Sequence, residues 1–149
     1  DQPKRFFKKV YEYFDGDLKD KTFAVWGLAF KPNTDDTREA PAFIIIDLLL
    51  DAGAKVQAFD PEAMENTREL EFGDRITYAE SSYAALDNAD ALLLVTEWNE
   101  FRMPDWKKIH GMLNIPVVFD GRNIYDMEEM EENGFDYFSI GRPPVRGRK

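Results

Sequence analysis

The sequence contains no cysteine among its 149 residues. This absence excludes disulfide bonds, cysteine-ligated zinc sites and thiol nucleophiles from the chain. The sequence also lacks any apolar run approaching the roughly 20 residues that cross a bilayer, and its first stretch is too charged for a secretory signal peptide. We therefore expect a cytoplasmic protein that has no membrane partner.

Positive charge is scarce as well, because 29 Asp and Glu residues outnumber 19 Lys and Arg residues and give a formal net charge of -10. A surface of this sign repels polyanions, so nucleic acid is not expected as a partner. The remaining metal-binding residue types show no ligand spacing, and no metal site is predicted. A small phosphate ligand is compatible with this charge, because it needs only a local cationic pocket.

Short apolar runs alternate with helical patterns along the chain, which fits the length of one domain. The run ALLLV at 91–95 is apolar on both faces, as expected of a strand covered by helices on each side of a sheet. The pattern predicts a three-layer, Rossmann-like α/β domain with a mostly parallel sheet and helices on both faces. The predicted strands cover residues 22–28, 56–59, 76–78, 91–95, 117–119 and 137–140.

Two helices are marked clearly. Residues 3–14 place Phe6, Val10 and Tyr13 at helical spacing with lysines between them. The second predicted helix runs from residue 41 to 51, because Pro41 suits a first turn and Gly53 suits a C-terminal stop. The basic residues 142–149 have little to bury, and they predict a flexible basic tail.

The candidate site lies at the carboxyl ends of the strands, where ligands bind in open parallel sheets. The loop at 29–40 is long for a strand-to-helix connection. It lacks the Gly-x-Gly-x-x-Gly turn of dinucleotide-binding folds and the Walker sequence. It offers Lys31 and Arg38 instead, and Arg122 follows a later strand. Three cations at one edge suit a diphosphate, and Phe30 beside Lys31 suits a flat base.

Each of these cations has a simpler interpretation. Lys31 and Arg38 have acidic neighbours in their own loop and are also explained by surface ion pairs. Arg122 is also explained as a solvated residue in an Asp-Gly turn. For Asp60, which follows a strand and precedes a proline, helix capping is favoured over binding a ribose.

Five motifs, in the same order, resemble those of the C-terminal, UDP-binding domain of the UDP-glucose/GDP-mannose dehydrogenase family. Their sequences are most similar to those of the UDP-glucose 6-dehydrogenases. They span nearly the whole globular part of the chain. The motifs are GLAFKPNTDDTREAP at 27–41, FDP at 59–61, TEWNEF at 96–101, FDGRN at 119–123 and YFSIG at 137–141.

The resemblance implies that Phe30, Lys31 and Arg122 contact the UDP part of a sugar nucleotide, and that Arg38 reaches NAD. In the family, the sugar C6 alcohol is oxidised to a carboxylate in two NAD-dependent hydride transfers through a thioester on a catalytic cysteine. That cysteine and the main NAD site belong to other domains, so we expect this chain to hold no catalytic residue and to be inactive alone. The full enzyme is expected to be a homo-oligomer.

The same resemblance divides the chain into the end of an inter-domain linker helix at 1–16, the UDP-sugar-binding domain at 17–141 and the tail at 142–149. Residues that touch only the nucleotide do not select the sugar. A related UDP-N-acetylmannosamine or GDP-mannose dehydrogenase is therefore an open alternative. A non-catalytic assembly module is a second alternative, and a free-standing NAD-binding oxidoreductase is the least favoured.

Overall fold

The structure of the chain is a computed structural model, which describes residues 1–148. The strands are β1 (Thr22–Trp26), β2 (Lys55–Phe59), β3 (Thr77–Tyr78), β4 (Ala91–Leu94), β5 (Val117–Asp120) and β6 (Asp136–Phe138). The α-helices are α1 (Gln2–Tyr13), α2 (Pro41–Asp51), α3 (Met64–Thr67), α4 (Trp106–Met112) and α5 (Met127–Glu132). Short 3-10 turns cover Gly73–Arg75, Ala84–Leu86 and Asn99–Phe101, and a π-helical turn covers Arg68–Phe72.

The six strands form one sheet in the order β3-β2-β1-β4-β5-β6, and every strand pair is parallel. The predicted parallel α/β fold is confirmed. Successive strands run outward from β1 in one direction and from β4 in the other, so the order reverses between β1 and β4. In such sheets the crevice for ligands opens at this reversal, beyond the carboxyl ends of the strands.

Helices cover the sheet on both faces, because right-handed crossovers place α2 and α4 on opposite sides of it. Helix α1 packs against α2 and the end of β5. Its N-terminus is capped by Asp1, which accepts a hydrogen bond from the amide of Lys4 at 3.1 Å, and it buries Phe6 and Val10 against the core. No helix within residues 1–148 is long and apolar enough to cross a membrane.

Several strands end earlier than their apolar pattern predicts. Strand β1 ends at Trp26 instead of residue 28, because the amides of Leu28 and Ala29 turn away to a buried carboxylate. Strand β6 ends at Phe138, because the amide of Ile140 donates to the side chain of Asn123 at 2.7 Å. Apolar residues therefore continue past both strands into the loops that face the crevice.

The C-terminal segment, residues 142–148, lies along the outer edge of β6. Val145 and Tyr137 exchange two backbone hydrogen bonds of 2.9 Å in an antiparallel bridge. The amide of Gly147 donates to Asp136, and the amide of Arg148 donates to the carbonyl of Glu131. The flexibility expected for residues 142–149 stays a prediction. Lys149 lies outside the described residues. The division at residue 16 also stays a prediction.

Candidate functional site

The guanidinium of Arg122 joins the ends of three neighbouring strands. Arg122 follows β5, and its Nε donates to the carbonyl of Val95 after β4 at 2.8 Å. Its Nη2 donates to the carbonyl of Phe30 after β1 at 3.0 Å. The sheet therefore brings Arg122 beside the long loop, as its parallel topology predicts, although 92 positions separate the two residues in sequence.

Two acidic residues hold Arg122 in this position. The side chain of Glu97 lies 3.5 Å from Nε of Arg122, and both side chains are mostly buried, with 21% and 28% of their surfaces exposed. The carboxylate of Asp120 accepts from the backbone amide of Arg122 at 2.9 Å. The guanidinium is thus oriented by protein contacts before any ligand arrives, and it is not a freely solvated turn residue.

Phe30 and Lys31 are exposed residues of the loop after β1, and we refer to Phe30, Lys31 and Arg122 together as the rim. The amide of Phe30 donates to the carbonyl of Asp36 at 2.8 Å and closes the loop on itself, while 43% of the Phe30 surface stays exposed. A cavity of about 140 Å³ opens beside Phe30 and is lined by Phe6, Phe30, Ile45 and Arg122, among others. The rim thus combines an exposed ring, an oriented guanidinium and an exposed ammonium.

Arg38 makes its polar contacts with Asp36. Its Nε and Nη2 donate to the two carboxylate oxygens at 3.0 and 2.9 Å, and 89% of its side chain is exposed. The Arg38 guanidinium lowers the pKa of Asp36 to about 2, and the charge of Lys31 adds a smaller effect of the same sign. This is the local ion pair that the acidic neighbours of Arg38 suggested. A cofactor contact by Arg38 stays a prediction.

Asp60 is a buried carboxylate that accepts five hydrogen bonds. Its Oδ1 accepts from the amides of Glu62 and Ala63, both at 2.8 Å, and so closes the turn that precedes α3. The prediction that Asp60 caps a helix is wrong in detail, because α3 begins at Met64 and its N-cap is Ala63. Its Oδ2 accepts from the amides of Leu28 and Ala29 at 2.7 and 3.0 Å and from the indole Nε1 of Trp98 at 3.1 Å. The second set of contacts was not predicted from the sequence. It anchors the start of the loop that carries Phe30 and Lys31.

Gly27 allows β1 and β4 to approach closely at their ends. Its φ is +104°, and a Cβ at this position would lie 2.4 Å from the backbone nitrogen of Thr96. The hydroxyl of Thr96 donates to the carbonyl of Ala29 at 2.7 Å and so fixes the loop from a second strand. The space beside Gly27 is therefore filled by the protein itself.

A second buried carboxylate, Asp120, organises the end of β5. Its Oδ2 accepts from the amides of Ile124 and Tyr125 and from the hydroxyl of Tyr137, the last at 2.6 Å. Burial, together with this hydrogen bond, raises the pKa of Tyr137 well above its ordinary value. Nη2 of Arg142 donates to the same hydroxyl at 2.6 Å. Apart from the FDGRN motif, no sequence pattern indicates this network.

Among the residues that the structure describes, no three His, Asp or Glu side chains are grouped so that they could hold a metal ion. The chemistry at the rim is therefore that of cations, backbone carbonyls and one exposed aromatic ring. Guanidinium, ammonium and aromatic groups are chemically suited to phosphates and to a flat base.

Comparison with known proteins gives a consistent result. The profile of the "UDP-glucose/GDP-mannose dehydrogenase family, UDP binding domain" matches residues 24–127. The UDP-glucose 6-dehydrogenase of Pseudomonas aeruginosa is 46% identical over 146 residues, which cover 95% of this chain and 32% of that protein. The chain therefore spans about a third of the length of this curated relative.

Two solved structures share the fold over nearly all of the chain. A UDP-glucose dehydrogenase from the hyperthermophilic archaeon Pyrobaculum islandicum superposes with a TM-score of 0.74 at 34% identity, covering 93% of this chain and 29% of that one. A UDP-D-ManNAc dehydrogenase from Pyrococcus horikoshii superposes with a TM-score of 0.72 at 25% identity, covering 94% of this chain and 30% of that one.

Proposed function

The chain belongs to the UDP-glucose/GDP-mannose dehydrogenase family, and from this premise we propose that it is the UDP-binding domain of an NAD-dependent UDP-glucose 6-dehydrogenase. In this proposal it holds the nucleotide of UDP-glucose while other domains oxidise the sugar to glucuronate. Phe30, Lys31 and Arg122 are the proposed substrate contacts. The 46% identity to the Pseudomonas aeruginosa enzyme supports the choice of substrate.

The observation that carries the proposal is the hydrogen bond of 3.0 Å from Arg122 to the carbonyl of Phe30. It places the guanidinium beside the exposed ring of Phe30 and the start of the segment that carries Lys31. Guanidinium and ammonium groups bind phosphate oxygens, and an exposed ring stacks on a flat base. The three proposed contacts thus supply the chemistry that a uridine diphosphate needs.

The cavity beside the rim supports a shared binding site. Its volume of about 140 Å³ is below the roughly 300 Å³ at which pockets for small ligands begin. A nucleotide bound here keeps one side open for a second wall. We assign that wall to an N-terminal part of the enzyme, and the homo-oligomeric assembly and cytoplasmic location of the whole enzyme are parts of the same proposal.

The crevice of this chain does not fit the usual site for NAD. All five hydrogen bonds to Asp60 come from the protein, so its oxygens are engaged where a dinucleotide-binding fold would offer an acid to the ribose. Thr96 fills the space that a side chain at Gly27 would occupy, so a pyrophosphate has no room beside this glycine. We therefore assign NAD to another domain, with the exposed Arg38 as a proposed contact from this chain.

A titration of the chain with UDP, followed by ¹H–¹⁵N NMR, tests the proposal. We expect saturable shifts at the amides of Phe30, Lys31 and Arg122, with an affinity on the order of millimolar because half of the site is missing. Lys31→Gln removes one exposed charge without removing a protein contact and should weaken binding about fivefold. Lys55→Gln, at the amino end of β2, is the matched control and should leave the affinity unchanged.

Two results would contradict the proposal. Shifts confined to the amino ends of the strands would place the nucleotide elsewhere. If UDP causes no saturable shift, and light scattering shows an oligomer that dissociates on dilution, the chain is an assembly module instead.

A second candidate, the same domain in a UDP-N-acetylmannosamine dehydrogenase, is supported by the likeness to the Pyrococcus horikoshii structure. The two candidates share every contact to the nucleotide and differ only at the sugar. Turnover of the two UDP-sugars by the full-length enzyme distinguishes them, because the preferred substrate has the higher kcat/KM.

A further inference from the structure

Basic residues are concentrated at the two ends of the sequence. Residues 1–9 and 142–149 together contain eight of the 19 Lys and Arg residues but one of the 29 Asp and Glu residues. The rest of the chain is strongly acidic as a result. The fold brings the two basic ends to one place, because α1 covers the sheet beside β5 while residues 142–148 run along β6.

A groove lies between α1 and the C-terminal segment, and we refer to it as the α1 groove. It consists of two adjoining cavities of about 290 and 420 Å³, which share Lys9 and Glu12 in their linings. Its cations are Arg5, Lys8, Lys9, Arg142 and Arg146, and Glu12 is its one acidic lining residue among those that the structure describes. Gln2 and Ile140 line both the groove and the cavity beside Arg122, so the two adjoin, but Arg122 and Phe30 do not line the groove.

Most of this positive charge is not neutralised by the protein. Within residues 1–148, the charged nitrogens of Arg5, Lys8, Lys9 and Arg142 have no carboxylate oxygen within 4.0 Å. Arg146 pairs with Asp136 at 3.6 Å and leaves 66% of its side chain exposed. Like charges held together in this way repel each other, and a bound anion relieves the repulsion.

Arg142 gives the groove a fixed donor. Its Nε donates to the hydroxyl of Ser139 at 2.8 Å, and its Nη2 donates to the hydroxyl of Tyr137 at 2.6 Å. Both partners are buried: Tyr137 lies within β6, and Ser139 follows directly after it. The guanidinium is therefore held on a rigid element at the wall of the groove, which lowers the entropy cost of binding an anion.

The geometry points to a second anion-binding site in the α1 groove, one that takes the phosphate groups of a small polyphosphate ligand. A short anion suits the groove because two cavities of a few hundred Å³ match a ligand of that size. A long polyanion would run on from the groove onto the acidic remainder of the surface and be repelled there. The site adjoins the cavity of Arg122 but uses a different set of cations, and it does not rest on the proposed function.

A titration with inorganic pyrophosphate in about 0.15 M salt, where exposed charges are screened beyond roughly 8 Å, tests this assignment. We expect saturable ¹H–¹⁵N shifts at the amides of residues 139–142. The double variant Lys8→Gln/Lys9→Gln should weaken binding about tenfold. The control Lys107→Gln/Lys108→Gln removes two adjacent exposed charges from α4, on the other face of the sheet, and should change the affinity by less than about twofold.

Three outcomes overturn the assignment. Equal losses in the two double variants would mean that pyrophosphate senses only the overall charge. Saturable shifts confined to Phe30 and Arg122 would assign all anion binding to the rim. If a 20-residue polyglutamate binds more tightly than pyrophosphate, the groove serves an acidic protein segment instead. A parallel UDP titration, in which Lys8→Gln/Lys9→Gln leaves the shifts of Phe30 and Arg122 unchanged, separates this site from the proposed nucleotide site.

Discussion

The carboxyl edge of the sheet carries two buried aspartates, Asp60 after β2 and Asp120 at the end of β5, and they are used differently. Asp60 accepts two or more hydrogen bonds at each oxygen, including two from the loop after β1. Asp120 accepts one hydrogen bond at Oδ1 and three at Oδ2, mostly from its own turn. The β2 end thus ties together distant segments, whereas the β5 end shapes a local turn.

This comparison shows that the buried aspartates at this edge support the fold, while other side chains are left to bind a ligand. Both aspartates sit where an acid would meet a ligand in other parallel sheets, yet protein donors occupy them. The groups left for a ligand are Lys31, in the loop after β1 that Asp60 anchors, and Arg122, in the turn that Asp120 shapes. Ligand binding should therefore respond to the cations, and folding should respond to the acids.

The largest expected effect is at Gly27, which opens the loop that Asp60 anchors, and Gly121 in the turn after β5 is the comparison. Gly27→Ala places a Cβ 2.4 Å from the backbone of Thr96 at a φ of +104° and should lower the free energy of unfolding by about 4 kcal/mol. Gly121→Ala meets the carbonyl of Leu94 at 3.1 Å without a positive φ and should cost about 1 kcal/mol. Urea unfolding measures both, and equal costs would contradict the closer approach at Gly27.

The aspartates themselves come next. In Asp60→Asn, the amide group faces at least two backbone donors in either orientation, and the free energy of unfolding should fall by about 3 kcal/mol. In Asp120→Asn, the amide can replace Oδ1 and disturb only the hydrogen bond from Arg122, so the loss should be about 1 kcal/mol. The comparison between the two ends fails if urea unfolding gives the opposite order.

Tyr137→Phe tests a feature that distinguishes the β5 end from the β2 end. At the β5 end, a tyrosine hydroxyl donates a hydrogen bond to the buried carboxylate. Loss of the hydroxyl contacts should cost about 1.5 kcal/mol at neutral pH. Burial raises the pKa of Tyr137 above its ordinary value of 10.0, so the folded state keeps this proton after the unfolded chain has lost it. The stabilisation is full below pH 10 and declines at higher pH.

Unfolding free energies of the wild type and Tyr137→Phe should therefore converge above pH 10. Tyr125 also has a raised pKa because of its burial, so the variant keeps part of the alkaline decline. Parallel curves for the two proteins would show that the Tyr137 hydroxyl does not titrate differently in the folded state.

The smallest effect is expected at the exposed carboxylate of Asp36. In Arg38→Gln, the pKa of Asp36 should rise from about 2 towards its ordinary value of 3.8, because its hydrogen bonds from the guanidinium are lost. A ¹³C NMR titration of the carboxyl group measures this shift. The unfolding free energy should stay unchanged within error, since the pair is solvated. A clear loss of stability would mean that Asp36 supports the fold as the two buried aspartates do.

The fold was largely predictable from local signals. Helix α2 begins and ends at the predicted residues, because Pro41 and Gly53 mark its limits and Ile45 and Leu49 mark its buried face. The parallel sheet follows from the alternation of apolar runs with helices. Strand ends were less predictable, since Leu28 and Ile140 are apolar yet lie in loops whose amides bond to distant side chains.

The site was predictable only in part. Parallel topology brings Arg122 to the loop of Phe30, and the structure agrees. The anchoring of Leu28 by Asp60 spans 32 residues and has no local signature, so it could not be read from the chain. The contact of Tyr137 with Asp120 could not be predicted either, because it depends on how β6 pairs with β5.

The bridge between Val145 and Tyr137 also determines how the sheet meets other molecules. A strand at the border of a sheet exposes unpaired amides and carbonyls, which recruit strands from neighbouring chains and start fibrils. Here β3 at one border is only two residues long, and the C-terminal segment occupies the border at β6. We expect that removal of residues 142–148 would expose the outer edge of β6 and allow it to pair with strands of other chains.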